Sequence, residues 1–404
     1  MHMAGLLDGI RVVEIATFVF MPGAGTVMSD FGADVIHVEP PGIGDPYRML
    51  YHMKPLPQGE KNYCWDLDSR NKRSLVVNLK TDEGHEIIID LIKDADVLIT
   101  NFHPSVLSEL RITYEELSEI NPRLIYAHGT GFGEQGEEVE KPGYDATAWW
   151  ARTGLMDSVR PDGGALAMST AGMGDHPSSM TTFGGIALAL YARERTGKGT
   201  KVSSSLLANG AWSNSILLQA ALDGCTTYVP PTQSNTSNAV VNHYKCADGR
   251  SLFLVLIKEA EEFGLFCDAI ERPDIKDDPR FAELNVRREN APALAAVLSQ
   301  WFAERPLAEW QKRLDDHAIT FANIATTEEA VMDPQFIDNN LFVEFADQPG
   351  RQVVNSPLEL RDFPKRAPIA APELGQHTIE VLRDLGYDEQ RISGLIDSKV
   401  VSSS

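Results

Sequence analysis

The chain of 404 residues reads as an α/β protein with a parallel sheet in its first half and a smaller α+β region after it. Three patterns carry that reading. Residues 10–15 are apolar and β-rich, 23–31 have helical spacing and 33–38 form a second buried run, together a βαβ unit. A second unit follows, with a strand at 75–79, a helix capped by Thr81 that aligns Ile88, Leu91 and Ile92 on one face, and a returning strand at 97–100. Farther on, 243–257 reads as a hairpin turning at Asp248 and Gly249, with amphipathic helices around 260–270, 290–305 and 306–317.

Alternating units of this kind build a parallel sheet covered by helices. Thr113 and Glu116 form a capping box for a helix ending near Ile120, and 124–127 is one more buried strand. Residues 178–195 form one long helix, stopped by the TGKG turn at 196–199 before a strand at 200–206. A length prior of about 150 residues per domain allows two or three domains. The patterning divides the chain into a large domain from 1 to 210, a linker helix at 211–225, a small α+β domain at 226–325 and a segment at 326–404. That last segment is too short to fold alone and is expected to return to the large domain.

The formal charge of −22 repels polyanions at long range, so nucleic acid is not an expected partner and an anionic ligand needs a local basic patch. The longest apolar run, 186–192, is far short of the roughly 20 residues that span a bilayer. No membrane contact and no secretory leader are expected, and the reading is a cytoplasmic enzyme. Cys64, Cys225, Cys246 and Cys267 lie far apart, without metal or redox spacing, and are expected as free thiols with no metal site.

The turn after the first strand, ATFVFMPGAG at 16–25, lacks the three spaced glycines of a dinucleotide fingerprint. The GKGT at 197–200 lacks the spacing of a phosphate loop and reads as a helix stop. NKRSLVVNLK at 71–80 is the most basic spot in the chain, through Lys72, Arg73 and Lys80. It is either a solvated strand end or the cationic place that a phosphate ligand needs. In GMGDHPSSM at 172–180, Asp175 precedes the long helix, where Asp is a favoured N-cap. The same geometry suits a reactive carboxylate, kept ionised by the helix dipole and approachable across glycine. GTGFGEQGEEVEKPGYDATAWW at 129–150 is a glycine-rich loop at the carboxyl end of a strand, where parallel sheets bind ligands. Its acidic run reads as solvated loop, and Trp149 and Trp150 as core or interface.

In chain order, LLDGIRVVEIATFVFMPGAGTVMSDFGADVIHVEPPGIGDPYR, NKRSLVVNLKTDEG, ITNFHPSVL, GDHPSSM, RERTGKGTKV and PELGQHTIEVLRDLGY cover nearly the whole sequence. Together they resemble the class III CoA-transferases, the family of formyl-CoA, carnitine and bile-acid CoA-transferases and of α-methylacyl-CoA racemase. The resemblance implies a Rossmann-like large domain made by both chain ends, a small domain between them, and a homodimer of interlocked rings. It implies acyl-CoA and a carboxylic acid as substrates, with no permanently bound cofactor. By position, the family's catalytic aspartate falls on Asp175, with Asp145 beside it to position the thioester. CoA contacts fall on Val77, Asn78, Leu79 and Lys80, on Asn101, Phe102 and His103, and on Lys141 and Tyr144.

Three departures from the formyl-CoA enzymes bear on substrate. Their glutamine after the first strand is Val19 here, within Phe18-Val19-Phe20, which implies a more apolar acyl pocket. Their glycine-rich flap is QSNTSNAV at 233–240, and their arginine after the second strand is Pro40. Oxalate and formyl-CoA are therefore not the expected substrates. Two other readings stay open. Racemisation next to the thioester needs two acid/base groups, and the racemases carry a His-Asp pair where this chain has Tyr144 and Asp145, with His128 nearby. A non-catalytic CoA-binding protein is the alternative from another class.

Overall fold

The computed structural model describes residues 5–226 and 228–403. The main sheet contains β1 (Arg11–Ile15), β2 (Asp34–Glu39), β3 (Arg73–Val77), β4 (Val97–Thr100), β5 (Ile125–Thr130) and β6 (Lys201–Ser205). A C-terminal strand, Val401–Ser402, completes it, in the order C-terminal strand, β3, β2, β1, β4, β5, β6. All neighbours are parallel except the C-terminal strand, which runs antiparallel to β3 with Val401 opposite Val77. The fold is a mixed α/β fold with a mostly parallel sheet.

The continuous apolar strands are those of a sheet covered on both faces. Successive side chains point to opposite sides. Val13, Leu98 and Tyr126 join one core, with Ile88, Leu91 and Ile92 of α3 (Asp82–Lys93) and with Val381 and Leu382 of the helix Thr378–Asp384. Val12, Val97 and Ile125 join the other, with Met21 and Met28 of α1 (Phe20–Asp30) and Ile186 of a long helix, Asp175–Thr196. Each such side chain, fully hidden, contributes about 1.5–3 kcal/mol. Local signals set the helix ends. The Thr81 hydroxyl accepts the Gly84 N–H at 3.0 Å, and Thr113 with Glu116 closes the capping box of the helix Tyr114–Ile120. Gly197, at φ 72°, ends the long helix with its N–H on the Arg193 carbonyl.

The starts of α1 and the long helix are tied together. Ser179 Oγ shares its proton between the carbonyls of Phe20, at 2.7 Å, and Asp175, at 2.9 Å. A Cβ on Gly23 would overlap that hydroxyl, so only glycine allows the two helices this close.

The chain divides into two compact units. The larger takes residues up to 157, 168–226 and everything from 338 on; the smaller takes 158–167 and 227–337. These limits differ from the sequence-based division in three places. The 211–225 stretch stays with the larger unit, and its helical run is two helices, Leu206–Ser213 and Ser215–Leu222. The return to the larger unit comes at 338 rather than 326. Residues 158–167 join the smaller unit, where the Asp162 N–H bonds the Pro230 carbonyl at 2.9 Å. The smaller unit holds a three-stranded antiparallel sheet, β7 (Val241–Lys245), β8 (Ser251–Val255) and β9 (Phe321–Asn323). Its core is built on Tyr244, Phe266, Phe302 and Trp310.

Candidate active site

Strand β1 lies between β2 and β4, so the chain leaves it toward one side of the sheet and returns on the other. The carboxyl ends of two such strands open a crevice where α/β sheets take ligands. A cavity of about 380 Å³ lies there. The loop after β1 supplies Thr17 and Phe18, and the loop after β4 supplies Asn101, Phe102 and His103. Tyr144 and Asp175 complete the working wall.

Asn101 holds the floor. Its Oδ1 accepts the Thr17 N–H at 3.0 Å and its Nδ2 donates to the Thr17 carbonyl at 2.8 Å, so its amide is occupied by the protein. Phe18 has φ 63°, uncommon for a residue with a Cβ. It is held there by Asp45, whose Oδ1 accepts the N–H groups of Phe18, at 3.2 Å, and Tyr47, at 2.9 Å. Asp45 in turn faces His37, which also bonds Glu14 at 2.7 Å. Burial alone would lower the His37 pKa; Asp45 and Glu14 raise it to about 9, so the imidazole is a cation at neutral pH. The Phe18 ring meets Tyr144 edge-on, with centroids 5.9 Å apart.

The glycines on the opposite wall serve close approach. A Cβ on Gly131 would stand 2.8 Å from the Gly143 Cα, so the loop after β5 and the irregular segment leading to Tyr144 touch backbone to backbone.

Asp175 is the first residue of its helix, with Gly174 in the capping position. The N-cap reading is therefore corrected: the carboxylate caps nothing and faces the cavity. Burial first, then the charge of Asp145, push its pKa from 3.8 up to about 7; His176 opposes the rise and Asp68 adds to it. Asp145 does not line the cavity. It is buried at the start of a π-helical turn, Asp145–Ala151, where Oδ1 accepts the Ala146 N–H at 2.7 Å and Oδ2 the Gly174 N–H at 3.2 Å. The His176 N–H is likewise taken, by the Gly172 carbonyl. Trp149 and Trp150 are buried and stacked, as core residues.

Of the sequence-named residues, Asp175, Asn101, Phe102, His103 and Tyr144 meet at the cavity. Val77, Asn78, Leu79 and Lys80 form the end of β3 and the start of the next turn and do not line it; Val77 is buried and Lys80 exposed. Lys141 is outside it too, bound to Glu138 at 2.7 Å and lying over the Phe132 ring. Two expectations are corrected. Val19 is turned away, into a cluster with Tyr47, Cys64 and Trp65, because the helix begins at Phe20. Lys72 and Arg73 are no phosphate patch. Lys72 is buried on Glu14 and the Pro22 carbonyl, each at 2.8 Å, and Arg73 pairs with Asp34, Glu380 and Asp384. His128 is buried between Glu134, at 2.5 Å, and the Phe102 carbonyl, at 2.9 Å, outside the cavity lining. Sequence reasoning missed Asp68 and Tyr47, which stand behind the Asp175 turn. Nothing in the local pattern WDLDSR marks Asp68 as a site residue.

Fold and cavity thus define an α/β protein with a poised carboxylate at a ligand crevice. The chain belongs to CoA-transferase family III, whose family model matches residues 7–378. It is 33% identical over 98% of its length to (R)-2-hydroxy-4-methylpentanoate CoA-transferase of Clostridioides difficile, covering 99% of that protein. It is 31% identical to cinnamoyl-CoA:phenyllactate CoA-transferase of Clostridium sporogenes, covering 98% of this chain and 97% of that one. A CAIB/BAIF family protein from Brucella suis has the same fold, with a TM-score of 0.84, 26% identity, and 95% of this chain and 100% of that one covered.

Proposed function

We propose that this protein moves CoA from an acyl-CoA thioester to a carboxylic acid through covalent intermediates on Asp175. The observation that carries the reading is the Asp175 carboxylate in the first turn of a long helix, facing a cavity at the switch point of the sheet. An Asp175 oxygen attacks the thioester carbonyl carbon, the C–S bond breaks, and a mixed anhydride and CoA thiolate result. The thiolate then attacks the aspartyl carbonyl, releasing the acyl group as its carboxylate and leaving an aspartyl-CoA thioester. The incoming acid repeats these steps in reverse and leaves with CoA, restoring Asp175.

Among backbone donors beside Asp175, those of Gly174 and His176 are already engaged. Stabilisation of the oxyanions therefore falls to the Asp175 N–H and to the N–H groups of Phe20 and Met21 at the start of α1, since Pro22 has none and the Gly23 N–H bonds the Val19 carbonyl at 2.7 Å. Asn101, Phe102, His103 and Tyr144 shape the thioester end of the site, and Lys80 and Lys141 supply cations for CoA phosphates. The acceptor is a monocarboxylate with a bulky apolar tail. Phe18, Phe20, Phe102 and Tyr144 make the walls, and two similar enzymes are named for a branched and an aryl 2-hydroxy acid. The working unit is an interlocked homodimer in the cytoplasm that needs no bound cofactor. Racemisation lacks its base pair here: His128 and Asp145 are occupied elsewhere.

The experiment is to incubate the protein with acyl-CoA, quench, digest and weigh the peptides. A CoA adduct on the peptide containing Asp175, lost in Asp175→Ala, is the expected result. Transfer activity surviving in that variant would end the reading.

A further inference from the structure

Side chains from three separate segments converge behind Asp175. Asp68, in α2 (Tyr63–Ser69), is buried. Its Oδ2 accepts the Tyr47 hydroxyl at 2.5 Å and its Oδ1 accepts His176 Nε2 at 3.1 Å. The other ring nitrogen, Nδ1, lies 3.1 Å from the Gly172 carbonyl oxygen. Both nitrogens face acceptors, which only a doubly protonated imidazole satisfies. The backbone is fitted to the ring: Gly172 has φ 77°, and a Cβ there would stand 3.0 Å from it.

We propose that Tyr47, Asp68 and His176 are positioning residues for the transfer reaction: Asp68 anchors His176 as a cation beside Asp175, and that cation keeps Asp175 an anionic nucleophile. The inference rests on Asp175 being the nucleophile, as argued above. The chemistry explains the need. Each step passes one negative charge between the aspartate, the CoA sulfur and a carboxylate, and no proton enters or leaves. Asp175 must therefore begin every cycle deprotonated. Burial, Asp145 and, last, Asp68 itself work against that; His176 is the neighbour that works for it, so Asp68 serves Asp175 only through the His176 cation that it holds.

The charged surroundings agree. Burial lowers the His176 pKa, but the Asp68 hydrogen bond and charge, the Gly172 carbonyl and Asp175 raise it to about 9. Asp68 is held below its usual range, against burial, by His176, Tyr47 and Lys72. Tyr47 is kept a phenol by burial and by the charges of Asp68, Cys64 and Asp175. Thr26 Oγ1 donates to the Asp68 carbonyl and fixes the backbone of α2 against α1.

The test is the pH profile of kcat/KM from 5.5 to 10 for the unmutated enzyme, Asp68→Asn, His176→Gln and Tyr47→Phe, with circular dichroism to check folding. For the unmutated enzyme the profile rises as Asp175 ionises, about 7, and falls as His176 loses its proton, about 9. In His176→Gln the falling limb disappears and the rising limb moves up by about one pH unit, with about fivefold loss at pH 7 that is regained toward pH 9. In Asp68→Asn the falling limb moves down, whereas Tyr47→Phe, which takes a hydrogen-bond donor from the Asp68 carboxylate and leaves its charge, tightens its hold on the His176 proton and moves that limb slightly up. Should Asp68→Asn fail to fold, His176→Gln decides, since that side chain is 45% exposed. Unmoved limbs with a uniform loss of rate would reduce these residues to scaffolding and overturn the proposal. Adduct trapping on the unmutated enzyme separates the two claims. An Asp175 adduct with unmoved limbs sinks only the positioning role, and no adduct sinks the nucleophile with it.

Discussion

The Asp145 carboxylate accepts the N–H of Gly174 at 3.2 Å, one residue before Asp175, so one aspartate holds the turn on which the other stands. It also adds to the pressure that raises the Asp175 pKa. Asp145→Ala is therefore expected to act in two opposed ways: kcat falls about tenfold as the turn loosens, while the acidic limb of the rate profile moves to lower pH. The pH dependence of kcat/KM checks this. A limb moving upward would mean that the Asp145 charge is not felt at Asp175.

Asp175 works at the expense of stability. Its folded pKa of about 7 stands above the ordinary 3.8, so between those values the folded chain binds more protons than the unfolded one. Stability from this group falls as pH rises through that window, and the penalty is complete above 7. Asp175→Asn is expected to be inactive yet more stable at pH 8, by on the order of 2 kcal/mol, and no more stable near pH 3. Denaturant melts at the two pH values give the answer, and a destabilised variant at pH 8 would contradict it.

Lys72 and Lys80 should separate cleanly. Lys72→Met leaves Glu14 without its buried lysine and should destabilise the larger unit by about 3–5 kcal/mol. Lys80→Ala should leave stability unchanged and weaken CoA binding about threefold to tenfold at low ionic strength, with the difference fading in about 0.5 M salt, where the Debye length falls to roughly 4 Å. Calorimetric titration with CoA at two salt concentrations reads it. Equal affinities at both would place the phosphates away from Lys80.

For the acceptor, oxalate and a branched or aromatic monocarboxylate should compete unequally for one acyl-CoA donor, in favour of the apolar acid. A second carboxylate against Phe18 and Phe20 lacks a partner, at a cost of several kcal/mol. Phe18→Ala should narrow the preference by about tenfold, since an aromatic wall hides apolar surface at about 25 cal/mol per Å². Preference for oxalate would show that these rings do not meet the acid.

What the sequence discloses and what it conceals divide by distance along the chain. Apolar runs announce β1 to β5, and short-range pairs announce the Thr81 cap, the Thr113 and Glu116 box and the Gly197 stop, all within a turn of helix. The burial of Lys72 depends on Glu14, 58 residues away, and the pairing of Arg73 with Asp384 spans 311. The His176 cation depends on Asp68, 108 residues away. No local pattern carries such pairings. Val19 is a different failure: in a three-residue apolar run, only the positive φ at Phe18 and the helix start at Phe20 decide which side chain turns from the cavity.

The antiparallel pairing of Val401 with Val77 has a consequence for biosynthesis. Residues 158–167 and 227–337 form their own unit, so a ribosome can release a finished smaller unit while the outer edge of β3 still lacks its neighbour. An unpaired edge invites strands from other chains. The nascent protein carries that exposed flank until Val401 and Ser402 emerge, so the interval of greatest aggregation risk outlasts the synthesis of the whole smaller unit.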